Sequence, residues 1–350
     1  MLPGLAVSTV LRSRGYGVRL WLAGRPVEDR LVAEWSGEVC RIRSSGLPTG
    51  SAMGRLLALP GYVRTAFACR RAMRGSVPDA LLAMGGYASV GPVLAARMLR
   101  RPVVLHEGNA IPGRAVQALA RLADTIALAF EEAGAHLRHP RVVLTGFPLR
   151  HDIEAAAAAR RAGTRRKPVN EAWSPDVTTV LVLGGSQGAS SLNDRVSSGI
   201  AAFTRSGRAV QVIHLAGKTD VEAVRQTYAA ANVPHDVRPF MEDIWNAYAA
   251  SDLVVARSGG STCAEIRAFG LPSILIPLPC AARDHQHANA RMMARSGRVE
   301  ILPEDALEND SLPDCLGRIL DGTAADAEPG RECVGAAEAV ADLIEKMVAR

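Results

Sequence analysis

The sequence predicts an α/β protein built from two doubly wound, Rossmann-like domains that face a cleft. Apolar segments of strand length alternate with amphipathic segments of helix length along most of the 350 residues, a pattern typical of parallel sheets covered by helices. Hydrophobic residues make up 48% of the chain but aromatic residues only 4%, so the cores must consist mainly of Ala, Val and Leu. The alternation is interrupted once, near the middle of the chain, and this break indicates two domains.

The first half opens with an amphipathic helix over residues 5–15, which ends at a glycine. Apolar runs then predict strands at residues 17–24, 79–86, 102–109, 124–130 and 141–148. Helices are predicted between them at residues 91–100 and 113–123.

The domain boundary is predicted at residues 153–176. An alanine run is followed there by the basic cluster RRAGTRRKP, which indicates a helix and then an exposed loop. We therefore expect an N-terminal domain over residues 1–152 and a C-terminal domain over residues 177–330. A last helix within residues 331–350 could pack back on the N-terminal domain.

The second half repeats the alternation. Strands are predicted at residues 178–185, 209–217, 236–240, 252–260 and 272–279, and helices at residues 191–203, 220–231, 242–251 and 262–270. Because doubly wound sheets bind ligands beyond the carboxyl ends of their strands, the loops that follow these strands are the candidate sites.

Composition excludes several classes of protein. The six cysteines form no C-x-x-C pair, so zinc and redox motifs are unsupported, and reduced thiols suit the cytoplasm. The N-terminus lacks the features of a signal peptide, and no apolar run approaches the ~20 residues that span a bilayer. No G-x-G-x-x-G follows a strand with an acid at the right distance, which disfavours a dehydrogenase. The net charge of +6 fits either a plain basic protein or a surface that meets phosphate or anionic lipid.

The segment LVLGGSQGASSLN, residues 181–193, runs from a strand into a helix. Gly184 and Gly185 permit a tight turn, and Ser186 and Gln187 open a helix whose first N–H groups favour an anion. The alternative is an ordinary strand-to-helix turn.

A second such turn lies in VVARSGGSTCAEIRAFGLP, residues 254–272. The amides and hydroxyls of residues 258–262 can cradle a phosphate. Glu265, expected in the first helical turn, would repel a phosphate but could accept hydrogen bonds from ribose hydroxyls. The alternative is a capping box with Ser261 or Thr262.

Five polar residues precede a predicted helix in RDHQHANARMMARSG. His285 and His287 are two residues apart and so do not share a helical face, which disfavours a metal site. Amides and imidazoles both donate and accept hydrogen bonds, so a sugar-binding loop is the better interpretation.

His106 and Glu107 follow an apolar strand in the first half and are candidates for a general base and its orienting carboxylate. The alternative is a histidine that caps a strand end.

Residues 53–75 mix leucines, Val63 and Phe67 with five arginines. A helix of this kind can lie on an anionic membrane surface. The alternative is a core-facing helix with a solvated basic face.

These motifs, in this order, resemble the MurG family of peptidoglycan synthesis, the transferases of N-acetylglucosamine from its UDP derivative to lipid I. The segments that carry the resemblance are PGLAV, MGGYAS, HEGNAIPG, GGSQGASSLN, RSGGSTCAEI and DHQHANA, and they extend from Leu2 to about Gly297. The resemblance implies a glycosyltransferase B-type fold and an inverting transfer to the 4-hydroxyl of the muramoyl unit that requires no metal or other cofactor. It places the enzyme in cell-wall biogenesis, and through it in cell shape and division.

The resemblance also implies site residues, position by position. Ser186 and the loop from Gly260 to Glu265 would bind the diphosphate and ribose of the donor, and Met241 would meet the uracil through its backbone. The full implied set is Asn109, Arg150, Ser186, Met241, Gly260, Ser261, Thr262, Cys263, Ala264, Glu265 and Gln286 for substrate, with Tyr87, His106, Glu107, Gln187 and Asn193 elsewhere in the cleft. The partners implied are UDP-N-acetylglucosamine, lipid I, an anionic membrane surface at the cytoplasmic face and other cell-wall assembly proteins, but no nucleic acid.

The chain departs from the family pattern at three places. The family has a strand and a GGTGGH loop before PGLAV, and here Met1 stands where that loop should end, so we expect the true start to lie upstream. That loop would carry a histidine able to activate the acceptor; without it, His106 with Glu107 is the remaining candidate. The family's HEQN has Gly108 in place of its amide, and its GNPVR has Phe147 in place of Asn.

Two other functions stay open at this point. An epimerase or another nucleotide-sugar enzyme of the same fold would need no lipid acceptor. A non-catalytic or impaired homologue would bind UDP-sugar without turnover, and the shortened N-terminus would favour it.

Overall fold

A computed structural model describes residues 2–24, 26–33, 35–42, 52–164, 170, 173–184, 190–279, 282–295, 297–309, 311–322 and 335–349. The chain divides into two compact units, one formed by residues 1–150 with 332–350 and the other by residues 151–331. Among the described helices, none combines the length and the apolar character needed to cross a membrane.

Among its described residues, the first unit contains two parallel sheets. Its elements in chain order are α1 (Leu2–Ser13), β1 (Arg19–Leu22), α2 (Pro26–Leu31), β2 (Glu38–Arg41), α3 (Ala52–Arg74), β3 (Leu81–Ala83), α4 (Val90–Met98), β4 (Val103–Glu107), α5 (Arg114–Ala120), β5 (Thr125–Leu128) and β6 (Val142–Leu144). Strands β1 and β2 pair with each other, and β3, β4, β5 and β6 form a second sheet in that order.

The second unit is built on one six-stranded parallel sheet. Its elements are α6 (His151–Arg161), β7 (Thr178–Leu183), α7 (Ser190–Arg205), β8 (Val210–Leu215), α8 (Gly217–Ala230), β9 (His235–Arg238), α9 (Ile244–Ala250), β10 (Leu253–Ala256), α10 (Gly260–Phe269), β11 (Ser273–Leu275), α11 (His285–Arg295), β12 (Val299–Ile301) and α12 (Ser311–Leu320). The strand order is β12-β11-β10-β7-β8-β9. The predicted α/β class with doubly wound parallel sheets is thus confirmed.

The last helix, α13 (Ala336–Val348), belongs to the first unit. Its Val340 packs with Val7 of α1 and Val104 of β4 in one buried cluster. The opposite face of the same sheet is covered by α4 and α5, where Val103 and Leu105 are buried. Because successive strand residues point to opposite faces, β4 contributes to both layers of helices.

Helix α6 packs on the second unit. Arg160 donates from Nη1 to the carbonyl of Ala249 at 2.8 Å, and Arg161 donates to the carbonyl of Ala268 at 2.6 Å. The sequence placed residues 153–176 in a linker between the domains. In the structure, helix α6 instead belongs to the second unit. Its arginines satisfy carbonyls near the C-terminal ends of α9 and α10, which otherwise lack partners within the helix.

Candidate functional site

The strand order of the second unit brings its two glycine turns together. Strand β7 lies beside β10, with Leu183 in register with Ala256. From this pair the chain winds outward in both directions, to β8 and β9 on one side and to β11 and β12 on the other. This is the switch point at which doubly wound sheets bind ligands. Gly184 after β7 and the loop after β10 therefore lie side by side.

Helix α10 begins without a side-chain cap. Its N-cap residue is Gly259, in an extended conformation, and the first helical hydrogen bond runs from the Cys263 N–H to the Gly259 carbonyl at 2.9 Å. The N–H groups of the three residues before Cys263 precede that bond, so they lie where a helix offers donors and a positive dipole end to an anion. An arrangement of this kind can bind an anion.

Cys263 and Ala264 point into the core. Both side chains are fully buried, and burial raises the pKa of the Cys263 thiol to about 12. The resemblance implies both residues as substrate contacts. Because their side chains are buried, only their backbone atoms can contact a ligand.

Glu265 lies in the second turn of α10, not in the first as the sequence suggested. The helix begins at Gly260, so the capping box with Ser261 or Thr262 does not form. Instead, the Tyr248 hydroxyl donates to Oε2 of Glu265 at 2.9 Å. The residue is half-buried, and it lies one turn beyond the amides of Gly260 to Thr262.

A network of hydrogen bonds ties α11 to this loop. Ser258 donates from Oγ to the carbonyl of Gln286 at 2.8 Å, and Asn289 donates from Nδ2 to the carbonyl of Ser258 at 2.9 Å. The Leu278 N–H donates to Oε1 of Gln286 at 3.0 Å. The predicted sugar-binding residue Gln286 is therefore held between the loops that follow β10 and β11.

His287 pairs with Asp284. Asp284 and the preceding Arg283 both adopt left-handed backbone conformations, with φ of 57° and 61°. Such conformations are costly for residues with side chains and often accompany functional loops.

The side chain of Asn193 lies next to Gly184, at the end of β7. Its side chain is fully buried and donates to the Ala216 carbonyl at 2.7 Å and to Asp220 at 2.8 Å, while its Oδ1 lies 3.2 Å from Nε2 of His214. A Cβ on Gly184 would approach that Oδ1 to 2.4 Å. Glycine is therefore required at 184, and Asn193 acts on the turn rather than at an exposed surface.

Ser186 and Gln187 lie outside the described residues. Met241 is buried, with 5% exposure, just after β9, while the neighbouring Phe240 is 54% exposed. Because its side chain is buried, any contact of Met241 with a ligand would use its backbone.

Arg257 and Glu304 form an ion pair at the same edge of the sheet, which the sequence analysis missed. Their side chains are 2.7 Å apart and only 12% and 16% exposed. Burial alone would raise the pKa of Glu304. Hydrogen bonds from Ser191 and Arg257, together with the positive charge of Arg257, lower this pKa overall. Arg257 also donates to the carbonyl of Ile276 at 3.2 Å. The sequence signal that could have revealed this pair is Arg257, a charged residue between an apolar strand and a glycine turn.

In the first unit, His106 and Glu107 do not contact each other in the way the sequence suggested. Neighbouring strand residues point to opposite faces. The Glu107 carboxylate accepts hydrogen bonds from the N–H and side-chain amide of Asn109, at 2.9 and 3.0 Å, and from the Gly113 N–H at 3.0 Å. Burial is the main cause that raises its pKa. Glu107 therefore shapes the loop after β4 instead of orienting the histidine.

His106 is 2% exposed, and burial lowers its pKa to about 4. Its Nε2 lies 3.4 Å from the Gly146 carbonyl, and its ring meets that of Phe147 edge to face, with centroids 6.0 Å apart. The imidazole is therefore neutral at pH 7.

Tyr87 and Arg150 are both half-buried. Tyr87 opens a short 3₁₀ turn after two glycines with positive φ, and Arg150 is the last residue of the first unit before α6. Strands β3 and β4 are neighbours, so the turn that carries Tyr87 lies beside the loop that carries Asn109.

Comparisons with known proteins agree with this geometry. Residues 1–128 match the glycosyltransferase family 28 N-terminal domain, and residues 179–347 match the family 28 C-terminal domain. The UDP-N-acetylglucosamine--N-acetylmuramyl-(pentapeptide) pyrophosphoryl-undecaprenol N-acetylglucosamine transferase of Halorhodospira halophila is 39% identical over 96% of this chain and 90% of its own. The transferase of the same name from Chromohalobacter salexigens is 35% identical over 100% and 92%.

Solved structures give the same result. The crystal structure of MurG from Acinetobacter baumannii superposes with a TM-score of 0.69 at 29% identity, covering 98% of this chain and 95% of its own. A UDP-N-acetylglucosamine 2-epimerase from Neisseria meningitidis reaches 0.68 at 12% identity, covering 99% and 98%, and shows the shared fold alone. The motifs, the switch-point geometry and the curated relatives agree: the chain belongs to glycosyltransferase family 28, and within it to the MurG transferases.

Proposed function

We propose that this protein moves N-acetylglucosamine from UDP-N-acetylglucosamine to the 4-hydroxyl of the muramoyl unit of lipid I, with inversion at the anomeric carbon. The observation that carries the proposal is the uncapped N-terminus of α10 at the switch point between β7 and β10. A UDP-sugar needs an anion site next to a group that recognises ribose. The first turn of α10 supplies the anion site, and Glu265 in the second turn is the group that recognises ribose.

In this reaction the acceptor oxygen attacks the anomeric carbon from the side opposite UDP. The bond from that carbon to the β-phosphate oxygen breaks, and its electron pair stays on UDP. The amides from Gly260 to Thr262 stabilise the growing negative charge, since they are fixed before the reaction begins. Ser186, Arg150, Asn109 and Gln286 remain proposed donor contacts, and Met241 a proposed contact to uracil.

The acceptor hydroxyl loses its proton to a base. His106 is neutral at pH 7, as a base must be, but a pKa near 4 gives it little driving force for proton transfer. Its 2% exposure also keeps it from direct contact with a substrate. We therefore infer that His106 and Glu107 build the loop after β4, and that another group serves as base.

Membrane attachment is proposed to be peripheral, at the cytoplasmic face. Val63 and Phe67 on α3 are 50% and 52% exposed, and they lie four residues apart on one face of the helix. Arg64, Arg71 and Arg74 are exposed on the same helix. Apolar side chains flanked by arginines suit an interface with anionic lipid. The structure does not describe the side chains of residues 52–59.

The proposal is tested by incubating the full chain with radiolabelled UDP-N-acetylglucosamine and a lipid I analogue. Labelled disaccharide product, formed only when both substrates are present, is expected; release of free sugar or epimerised donor without acceptor would contradict it.

Donor recognition is tested with Glu265→Ala. Loss of a carboxylate that accepts hydroxyl hydrogen bonds should weaken UDP binding by about 10- to 100-fold, measured by calorimetry. The matched control is Glu222→Ala, which removes an exposed carboxylate from α8 of the same unit. Unchanged UDP affinity in Glu265→Ala would remove its ribose role.

A further inference from the structure

Tyr248 makes a two-point contact with α10. It is fully buried in α9, and its ring stacks on that of Phe269, with centroids 5.2 Å apart and planes 16° from parallel. Its hydroxyl donates to Oε2 of Glu265 at 2.9 Å. Glu265 and Phe269 are four residues apart, so they lie on the same face of α10. Tyr248 thus contacts Phe269 through its ring and Glu265 through its hydroxyl.

The ring contact determines where the hydroxyl lies. Phe269 ends α10 and is itself 2% exposed, so the stacked ring of Tyr248 is held among core residues. A buried phenol needs a hydrogen-bond partner, and Glu265 provides one. A carboxylate can accept about four hydrogen bonds, and Tyr248 donates one of them to Glu265.

We propose that Tyr248 is a positioning residue for the donor site, which holds the Glu265 carboxylate in the orientation that recognises the ribose hydroxyls. This inference rests on the proposed function. An unrestrained glutamate side chain loses rotamer freedom when a ligand fixes it, and this loss of entropy opposes binding. Tyr248 imposes that order before UDP arrives, and preorganisation of this kind improves affinity.

The test is Tyr248→Phe, which keeps the ring and its stack on Phe269 but removes the hydroxyl. Calorimetry on the full chain compares UDP with 2′-deoxy-UDP. We expect wild type to prefer UDP, and the variant to lose ~3- to 10-fold in UDP affinity with a smaller loss for the deoxy nucleotide. The preference for the ribonucleotide should therefore shrink. A role limited to stability would leave the ratio of the two affinities unchanged.

Tyr228→Phe is the matched control. Tyr228 is also fully buried in the second unit, and its hydroxyl lies 3.0 Å from Nδ1 of His214. Tyr228→Phe also removes a hydroxyl from a fully buried tyrosine, but this hydroxyl does not contact Glu265 in the structure. The ratio of UDP to 2′-deoxy-UDP affinity should stay at the wild-type value, and an equal change in both variants would overturn the inference.

The outcomes separate this inference from the proposed function. If wild type fails to bind UDP, the function itself fails. If wild type prefers UDP and Tyr248→Phe keeps the full preference, only the role of Tyr248 fails. Should Tyr248→Phe not fold, the wild-type chain labelled with ¹³C at the hydroxyl-bearing carbon of tyrosine provides a second measurement. The Tyr248 signal should shift more with UDP than with 2′-deoxy-UDP, and equal shifts would reject the proposal.

Discussion

Gly108 and Phe147 depart from the family's motifs at two separate places in the sequence, yet they are neighbours in the structure. A Cβ on Gly108 would lie 3.0 Å from Cε2 of Phe147 and 4.0 Å from Cε1 of His106. Phe147 is 6% exposed and meets the His106 ring edge to face. The aromatic ring thus fills space beside a residue that has no side chain, and the two departures form one packing unit.

This contact predicts that the two positions are energetically coupled. Gly108→Gln should overpack the site by about 1–3 kcal/mol, and Phe147→Asn should cost about 3–5 kcal/mol through the lost buried ring. The double variant should be less destabilised than the sum, by at least ~0.5 kcal/mol, because the amides occupy the vacated space. Denaturant unfolding of all four proteins measures this.

The additive control combines Gly108→Gln with Phe240→Asn, an exposed residue of the second unit. Strict additivity for the Gly108 and Phe147 pair would show that the two departures are independent.

At the scale of elements, strands β2 and β12 and helix α12 were among those that the sequence did not predict. Strands β2 and β12 are four and three residues long and partly polar, and helix α12 carries Pro313 in its first turn and Gly317 near its end. A proline is tolerated in the first turn, where its missing N–H has no helical partner. The buried face of α12, with Leu312, Leu316 and Ile319, stabilises it instead.

Helix α3 allows a prediction about membrane binding. Replacing both Val63 and Phe67 by Ser should reduce binding to vesicles that contain anionic lipid by tenfold or more, since burial of one such side chain contributes about 1.5–3 kcal/mol. Flotation with vesicles measures the bound fraction. Phe240→Ser, which removes an equally exposed aromatic from the second unit, should bind as wild type does. Undiminished binding of the double variant would remove α3 from the interface.

At the scale of the whole molecule, each unit buries one neutral histidine. Burial lowers the pKa of His106 to about 4 in the first unit and that of His214 to about 3 in the second. Below pH ~6.5 the unfolded chain protonates these histidines while the folded chain does not, so acid favours unfolding.

The free energy of unfolding should therefore fall as pH decreases from 6.5, by up to ~1.4 kcal/mol per pH unit for each histidine. His106→Gln should remove its share of this slope between pH 6.5 and 5, as measured by denaturant unfolding at a series of pH values. Glu107, whose pKa is raised, acts in the opposite direction near its own pKa but is present in both proteins. Equal slopes in wild type and variant would show that His106 is not the titrating group.

The sequence by itself determined the fold class, the order of the longer strands and helices, and the glycine turn that opens α10. These features depend on hydrophobic periodicity and on backbone conformations that favour glycine, and both are local. Only the tertiary structure decided which turns meet, because strand order within a sheet is a long-range property. It placed β7 beside β10, set Glu265 against Tyr248, and directed the Glu107 carboxylate to its own loop rather than to His106. Side-chain partners of this kind depend on packing between elements that are distant in sequence, which no local pattern encodes.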